Sequence, residues 1–283
     1  MAQRSDAVLI TGCSTGIGRA TAQYLAERGR TVYATARKLE SIEDLEGRGC
    51  RLLQLDVTDE ESMRRAVAEV VEREGAVGAL VNNAGYSLSG AVESVSMDEV
   101  RRQFETNVLG LIRMCQLVLP GMREQRHGRI VNVSSMGGKL TFPGGGIYHA
   151  TKHAVEGLSD VLRFEVAGFG VDVVIIEPGL IKTEFGNAAV GALGRATEDD
   201  EGPYSEFNNA VAATTAGAYE GPASRMAAPP EAVARAIHRA ITKKRPKPRY
   251  VITAGARVML GMRAVLPDRA WDAAMASRFP RPR

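Results

Sequence analysis

Short runs of apolar residues alternate along the chain with longer stretches in which apolar residues recur every three or four positions. The short runs predict strands that are covered by helices on both faces, and the longer stretches predict amphipathic helices. The predicted strands are Ala7–Thr11, Thr31–Ala36, Arg51–Leu55, Ala79–Asn82, Arg129–Ser134, Val171–Glu177 and Arg249–Thr253. The predicted helices are Ile17–Arg28, Glu60–Glu74, Met97–Arg126, Tyr148–Ala167 and Glu231–Thr242.

This alternation of strands and helices is typical of βαβ units on a parallel sheet. A chain of 283 residues is long enough to bury one such core. We therefore predict the α/β class, with a Rossmann-type, doubly wound, seven-stranded parallel sheet, helices on both faces and a single domain over residues 1–283.

Two segments depart from the alternation. Residues 186–230 are rich in Ala, Gly and Thr, contain the acidic run Glu198–Glu201 and show no strong period, which predicts a long loop. Because such loops in compact domains are often functional, we interpret this one as a substrate lid. The stretch Ala254–Leu266 is apolar except at Arg257 and Arg263. It predicts a helix that covers a substrate pocket or a subunit interface, with an amphipathic membrane contact as the alternative.

The charge balance limits the partners. The formal net charge is +3, and basic and acidic residues are interspersed over most of the chain, which argues against binding of nucleic acid. The basic run Lys243–Arg249 is broken by prolines and predicts a solvated turn, although it could meet an acidic partner or lipid headgroups.

Cysteines and apolar runs bear on location and on metals. The three cysteines are widely spaced, and neither an apolar leader nor an apolar run of membrane-spanning length is present, so we expect a cytoplasmic protein with reduced thiols. His149 and His153 lie four apart but have no third ligand nearby. We therefore predict no metal site.

A glycine-rich turn, Thr11–Gly18, lies between the first predicted strand and the first predicted helix. Glycines there let backbone N–H groups approach a pyrophosphate at the amino end of a helix. The spacing is G-x-x-x-G-x-G, which differs from the commoner G-x-G-x-x-G fingerprint. The predicted cofactor contacts of this turn are Gly12, Ser14, Thr15, Gly16, Ile17 and Gly18.

The residues after the second strand select the cofactor. NAD-binding folds place a carboxylate there to accept from the ribose 2′-hydroxyl. Here the strand leads into Arg37 and Lys38, and the first carboxylate is Glu40. A guanidinium can bind a 2′-phosphate through two hydrogen bonds, so we expect NADP(H) to be preferred over NAD(H). After the third strand, Asp56 and Val57 are placed to contact adenine, although Asp56 or Thr58 could instead cap the next helix.

Tyr148 and Lys152 lie four apart and therefore on one face of a predicted helix. A free tyrosine has a pKa of about 10, too high for efficient proton exchange near neutral pH. A neighbouring ammonium favours the phenolate and lowers that pKa. The pair suits acid–base chemistry, although the spacing alone also occurs by chance on amphipathic helices.

Together, these motifs resemble the short-chain dehydrogenase/reductase family over Ala7 to about Thr183. The resemblance rests on the glycine turn, Asn82–Gly85, Asn107, Ser134-Ser135, Tyr148 with Lys152, and Pro178-Gly179 with Thr183, in that order. The residues Tyr33–Arg37 look similar to the hydroxysteroid and retinol dehydrogenase branch.

The resemblance implies roles for particular residues. Ser135, thirteen residues before Tyr148, would bind the substrate oxygen, in preference to Ser134. Tyr148 would exchange the proton, Lys152 would bind the nicotinamide ribose and lower the pKa of Tyr148, and Asn107 would hold a relay water. The remaining implied cofactor contacts are Asn83, Ala84, Gly85, Pro178, Gly179, Ile181 and Thr183.

The substrate is predicted to be a small apolar ketone, aldehyde or alcohol, because apolar residues flank the site in sequence and in the predicted lid. They are Met136, Leu140, Phe142, Ile147, Phe185, Tyr204, Phe207, Tyr219 and Met226. Two alternatives use the same motifs: a ketoreductase for carrier-bound ketoacyl or polyketide substrates, and a non-catalytic dinucleotide sensor. The helices Met97–Arg126 and Tyr148–Ala167 resemble those with which the family pairs subunits, which implies a homodimer or homotetramer.

Overall fold

Seven strands form one parallel sheet in a computed structural model, which describes residues 4–183, 202–220 and 227–282. Their order is β3-β2-β1-β4-β5-β6-β7, which confirms the predicted Rossmann-type sheet. The strands are β1 Val8–Ile10, β2 Val32–Ala36, β3 Cys50–Gln54, β4 Ala79–Asn82, β5 Gly128–Val133, β6 Val171–Glu177 and β7 Arg249–Val251.

Nine α-helices are found within those ranges. They are α1 Gly16–Ala26, α2 Glu60–Glu74, α3 Met97–Phe104, α4 Gly110–Glu124, α5 Gly146–Ala167, α6 Ser205–Glu220, α7 Pro230–Thr242, α8 Ala254–Val265 and α9 Asp268–Ala276. None of the helices in the described part of the chain is both long and apolar enough to cross a bilayer.

Each face of the sheet has its own apolar core. On one face, Val67 of α2, Met114 of α4 and Val155 of α5 are buried in a cluster with the strands. On the other face, Leu25 of α1 and Ile237 of α7 are buried in a second cluster. Burying one aliphatic side chain contributes about 1.5–3 kcal/mol, so helices on both faces stabilise the strands between them.

The predicted helix Met97–Arg126 is wrong as a single α-helix. It is interrupted by a π-helical turn, Glu105–Leu109, between α3 and α4. The extra residue in such a turn changes the direction of the side chains that follow it. Asn107 lies at the centre of this turn.

The predicted loop over residues 186–230 contains a helix, α6, within its described part. Its apolar residues form only a weak stripe because the helix is built largely of Ala, Asn and Thr, which explains why the period was not evident. Phe185 and Met226 lie outside the described residues, so the lid remains a prediction.

The chain ends in two helices that pack back onto the loop after β5. Leu140 is buried with Trp271 and Met275 of α9, and Trp271 Nε1 donates to Thr141 O at 3.3 Å. The predicted helix at Ala254–Leu266 is confirmed as α8, which ends at Val265.

Candidate active site

The sheet order reverses between β1 and β4, which are hydrogen-bonded neighbours. Ligands of open α/β sheets bind at such a reversal, outside the carboxyl ends of the strands. A cavity of about 1080 Å³ lies there. Most of the predicted site residues line it: Gly12, Ser14, Thr15, Gly16, Ile17, Arg37, Asp56, Val57, Asn83, Ala84, Gly85, Ser135, Tyr148, Lys152, Pro178, Gly179, Ile181 and Thr183.

Three predicted site residues lie outside the cavity wall: Gly18, Lys38 and Asn107. Gly18 and Asn107 are buried directly behind it, while Lys38 is exposed.

The glycine turn is shaped by close approaches of backbone to backbone. Gly12 and Gly16 have φ of 72° and 58°, in the left-handed region that favours glycine. A Cβ on Gly18 would lie 2.2 Å from Gly12 O. Asn83 Nδ2 donates to Thr11 O at 2.9 Å and to Gly12 O at 3.0 Å, so the end of β4 fixes the turn.

Asp56 does not cap α2. Its Oδ1 accepts from Thr58 N at 2.9 Å and from Thr58 Oγ1 at 2.8 Å, while Asp59 is the N-cap and accepts from Glu61 N at 2.9 Å. The expected cap at Asp56 or Thr58 is therefore wrong, because the loop is one residue longer before the helix begins. Asp56 remains on the cavity wall, where a carboxylate can meet a base edge.

Tyr148 and Lys152 lie on the first turns of α5, as the spacing predicts. Lys152 Nζ donates to Val133 O at 2.9 Å and lies 5.9 Å from the centre of the Tyr148 ring. Burial lowers the pKa of Lys152 to about 8, and the Glu156 carboxylate one turn further opposes that effect. The ammonium is thus held at a fixed distance from the phenol.

The two serines after β5 have different surroundings. Ser135 lines the cavity, and its Oγ accepts from Gly137 N at 3.0 Å. Ser134 also reaches the cavity wall, but it is 3% exposed and its Oγ lies 2.7 Å from where a Cβ on Gly138 would be. Ser135 is therefore the better placed of the two to reach a substrate.

Asn107 connects the loop after β4 to α5. Its Nδ2 donates to Tyr86 O at 2.9 Å and to Thr151 Oγ1 at 3.1 Å, and its Oδ1 accepts from Tyr86 N at 3.1 Å. A Cβ on Gly85 would lie 3.0 Å from that Oδ1. The π-helical turn thus aims the Asn107 amide at the backbone beside Lys152.

A cluster of charges behind Lys152, in which the two carboxylates are buried and Arg249 is partly exposed, was not predicted. Arg249 Nη2 lies 3.2 Å from Glu156 Oε2, and Arg249 Nε lies 3.1 Å from Glu177 Oε1. Burial, followed by the nearby Glu156 carboxylate, raises the pKa of Glu177 to about 7. In the sequence, this cluster is indicated only by charged residues that lie within otherwise apolar segments.

The substrate side of the cavity is formed partly by the end of the chain. Val211 of α6, Met259 of α8 and Met275 of α9 line it, together with Arg278 and Phe279. The recurrence of Trp271, Met275 and Phe279 every four residues is the signal from which this wall could have been predicted.

His149 packs beside this wall. Its Nδ1 accepts from Phe142 N at 3.3 Å, and burial lowers the pKa of His149 to about 4. The imidazole is therefore neutral near pH 7 and gives the cavity wall a polar but uncharged surface.

Comparisons with known proteins agree with this geometry. The family model described as short chain dehydrogenase matches residues 6–192. A 3-ketodihydrosphingosine reductase from Bacteroides thetaiotaomicron is 44% identical over 179 residues, which cover 63% of this chain and 65% of that protein. An NADPH-dependent 3-dehydrocapnine reductase from Ornithobacterium rhinotracheale is 32% identical, over 93% of this chain and 94% of that protein.

Among solved structures, a closed form of serine dehydrogenase complexed with NADP⁺ matches with a TM-score of 0.75 and 29% identity. The match covers 88% of this chain and 95% of that chain. The chain therefore belongs to the short-chain dehydrogenase/reductase family, oxidoreductases that act on CH–OH groups with a nicotinamide dinucleotide.

Proposed function

We propose that this enzyme uses NADPH to reduce the ketone of an apolar, long-chain substrate, with Tyr148 as the proton donor. The observation that carries the proposal is a shared cavity: the glycine turn, Ser135 and Tyr148 open into the same space as an apolar wall of Val211, Met259 and Phe279. One end of this cavity suits a dinucleotide, and the other suits an alkyl chain.

The residues that line the cofactor end of the cavity fit a nicotinamide dinucleotide. The turn at Gly12–Gly18 presents backbone at the start of α1, where an anionic pyrophosphate is stabilised. Arg37 lines the same end beside β2 and supplies a bidentate donor for a 2′-phosphate. Pro178 and Thr183 also line the cavity and would hold the nicotinamide. When bound, the cofactor supplies the hydride.

The chain's own residues handle the substrate oxygen and its proton. Ser135 donates to the carbonyl oxygen and orients it towards Tyr148, which gives up its phenolic proton as negative charge develops there. The Lys152 ammonium stabilises the resulting phenolate. Asn107 holds the Gly85–Tyr86 backbone, which lies beside Lys152.

The named relatives support a long-chain ketone. 3-Ketodihydrosphingosine carries its ketone on a long alkyl chain, and the described wall beside Tyr148 is built from methionine, valine and aromatic side chains. We expect the purified enzyme to oxidise NADPH faster with dispersed 3-ketodihydrosphingosine than with a short, water-soluble ketone. Turnover confined to short ketones would contradict the long-chain assignment.

The geometry of the described residues gives less support to the two alternative functions. Lys243, the first residue of the basic run, accepts a hydrogen bond from Arg129 at the amino end of β5, which is remote from the site at the carboxyl ends. A carrier protein docked there would lie at the opposite edge of the sheet from Tyr148. A non-catalytic sensor does not require the buried Lys152 ammonium beside the Tyr148 phenol.

Replacement of Arg37 by aspartate tests the cofactor preference. Charge-assisted hydrogen bonds contribute about 1.5–3 kcal/mol. We therefore expect Arg37→Asp to lower the ratio of kcat/KM for NADPH to that for NADH by about 10- to 100-fold. Lys38→Asp makes the same change of charge outside the cavity wall and should have a smaller effect. An unchanged ratio in Arg37→Asp would show that the 2′-phosphate is bound elsewhere.

We also propose that subunits pair through α5. Phe164 on this helix is 87% exposed and Val161 is 57% exposed, so a partner would bury a sizeable apolar surface. Phe164→Glu should convert the homodimer or homotetramer to a smaller species in analytical ultracentrifugation. Val71→Glu on α2 is the matched control and should leave the mass unchanged. A wild-type enzyme that sediments as a monomer would refute the pairing.

We propose a cytoplasmic location, which the free thiols support. Cys13, Cys50 and Cys115 are free and buried, as expected of a protein kept in a reducing compartment. Cell fractionation checks it, and recovery from an oxidising compartment would contradict it.

A further inference from the structure

Helix α8 is apolar on two faces. Its inner face contributes Ala256 and Met259 to the cavity wall. Its outer face exposes Val258, Met262 and Val265, which are 61%, 43% and 79% accessible. Their spacing of four and then three residues places them in one stripe. A contiguous apolar stripe left exposed on a surface helix often marks an interaction site, so we expect it to contact another surface.

The segment that carries this stripe is rich in arginine. Helix α8 contains Arg257 and Arg263 and no acidic residue, and Arg263 pairs with Asp268 just after the helix. Residues 254–283 contain six arginines and two aspartates, a net charge of +4, whereas the whole chain carries +3. The rest of the chain is therefore slightly acidic, and the excess positive charge is concentrated in the segment that bears the stripe.

We propose that the outer face of α8 docks the enzyme on an anionic lipid surface. Basic amphipathic helices bind in the headgroup region, where apolar side chains enter the acyl boundary and arginines meet lipid phosphates. A second copy of this chain is a poorer occupant. A two-fold contact would place the same cationic helix against itself, and like charges across an interface are repulsive.

Docking through α8 would also deliver substrate to the cavity. This second step rests on the proposed function, whereas the docking itself is independent of it. The same helix that meets the lipid with its outer stripe lines the substrate cavity with Met259. An alkyl chain leaving the lipid surface would enter the cavity along this helix. The enzyme would thus take its ketone from the membrane surface, where such a substrate is concentrated.

Vesicle flotation tests the docking. We expect the full-length enzyme to float with vesicles of equal parts phosphatidylcholine and phosphatidylglycerol, and to stay in solution with phosphatidylcholine alone. The double variant Val258→Glu/Val265→Glu should lower the bound fraction by about tenfold or more, because both charges would enter the acyl boundary. Val71→Glu, on the exposed surface of α2, should float like the wild type.

Two results would overturn the docking: a wild type that stays in solution with the anionic vesicles, or a double variant that floats as well as the wild type, whether or not it forms a smaller oligomer. NADPH oxidation with a short, water-soluble ketone separates this test from the proposed function. Flotation without turnover of any ketone would leave the docking intact and refute the proposed reductase. Turnover of a ketone without flotation would leave the proposed reductase intact and refute the docking.

Discussion

Replacement of Tyr148 by phenylalanine is expected to lower kcat by about 10²- to 10⁴-fold, the usual contribution of a general acid or base. The change removes one hydroxyl group and keeps the ring that lines the cavity. Lys152 would keep its hydrogen bond to Val133 O and so its place beside the cofactor end. The affinity for NADPH should therefore change little while turnover is lost.

Single-turnover oxidation of NADPH, with binding measured separately by fluorescence titration, distinguishes these two effects. Tyr24→Phe is the matched control, since Tyr24 lies near the carboxyl end of α1, outside the cavity wall, where Arg28 packs over its ring. We expect its turnover to equal that of the wild type. If Tyr148→Phe kept full turnover, another group would have to supply the proton and the proposed chemistry would be wrong.

The sheet could be predicted from sequence because its determinants are local. Most strands are short apolar runs, and periodicity predicted all seven, although β2 and β3 are joined by two short 3₁₀ helices, Leu39–Ser41 and Glu43–Arg48, and not by an amphipathic α-helix. The glycine turn was equally accessible, because left-handed φ at Gly12 and Gly16 restricts which residues can occupy those positions.

The features that sequence analysis missed depend on distant contacts or on small shifts in helical pitch. Nothing in the residues Glu105–Leu109 distinguishes a π-helical turn from an α-helix, yet that turn directs the amide of Asn107. The ion pairs of Arg249 with Glu156 and Glu177 join β7 to α5 and β6 across more than seventy residues of sequence. The apolar wall depends on the docking of α9 onto the loop at Leu140.

Addition of a single methyl group to the glycine turn should remove cofactor binding. In Gly18→Ala the new Cβ would lie 2.2 Å from Gly12 O and 2.5 Å from Asn83 Nδ2. Neither neighbour can move freely, because Asn83 Nδ2 is hydrogen-bonded to both Thr11 O and Gly12 O. The turn must therefore shift away from α1, and it loses the backbone arrangement that receives the pyrophosphate. We expect the Kd for NADPH to rise by at least about 100-fold, and the free energy of unfolding to fall by about 1–3 kcal/mol.

Gly217→Ala is the control that separates the effect of the glycine turn from the effect of replacing any glycine within a helix. Gly217 also lies within a helix, α6, but a Cβ there would meet nothing within 4 Å. Alanine should therefore stabilise α6 by about 0.5–1 kcal/mol and leave the Kd for NADPH unchanged. Isothermal titration with NADPH and thermal unfolding of both variants make the comparison. Tight binding of NADPH by Gly18→Ala would mean that the dinucleotide does not depend on the close approach of Gly12 and Gly18, and the cofactor end would have to be assigned anew.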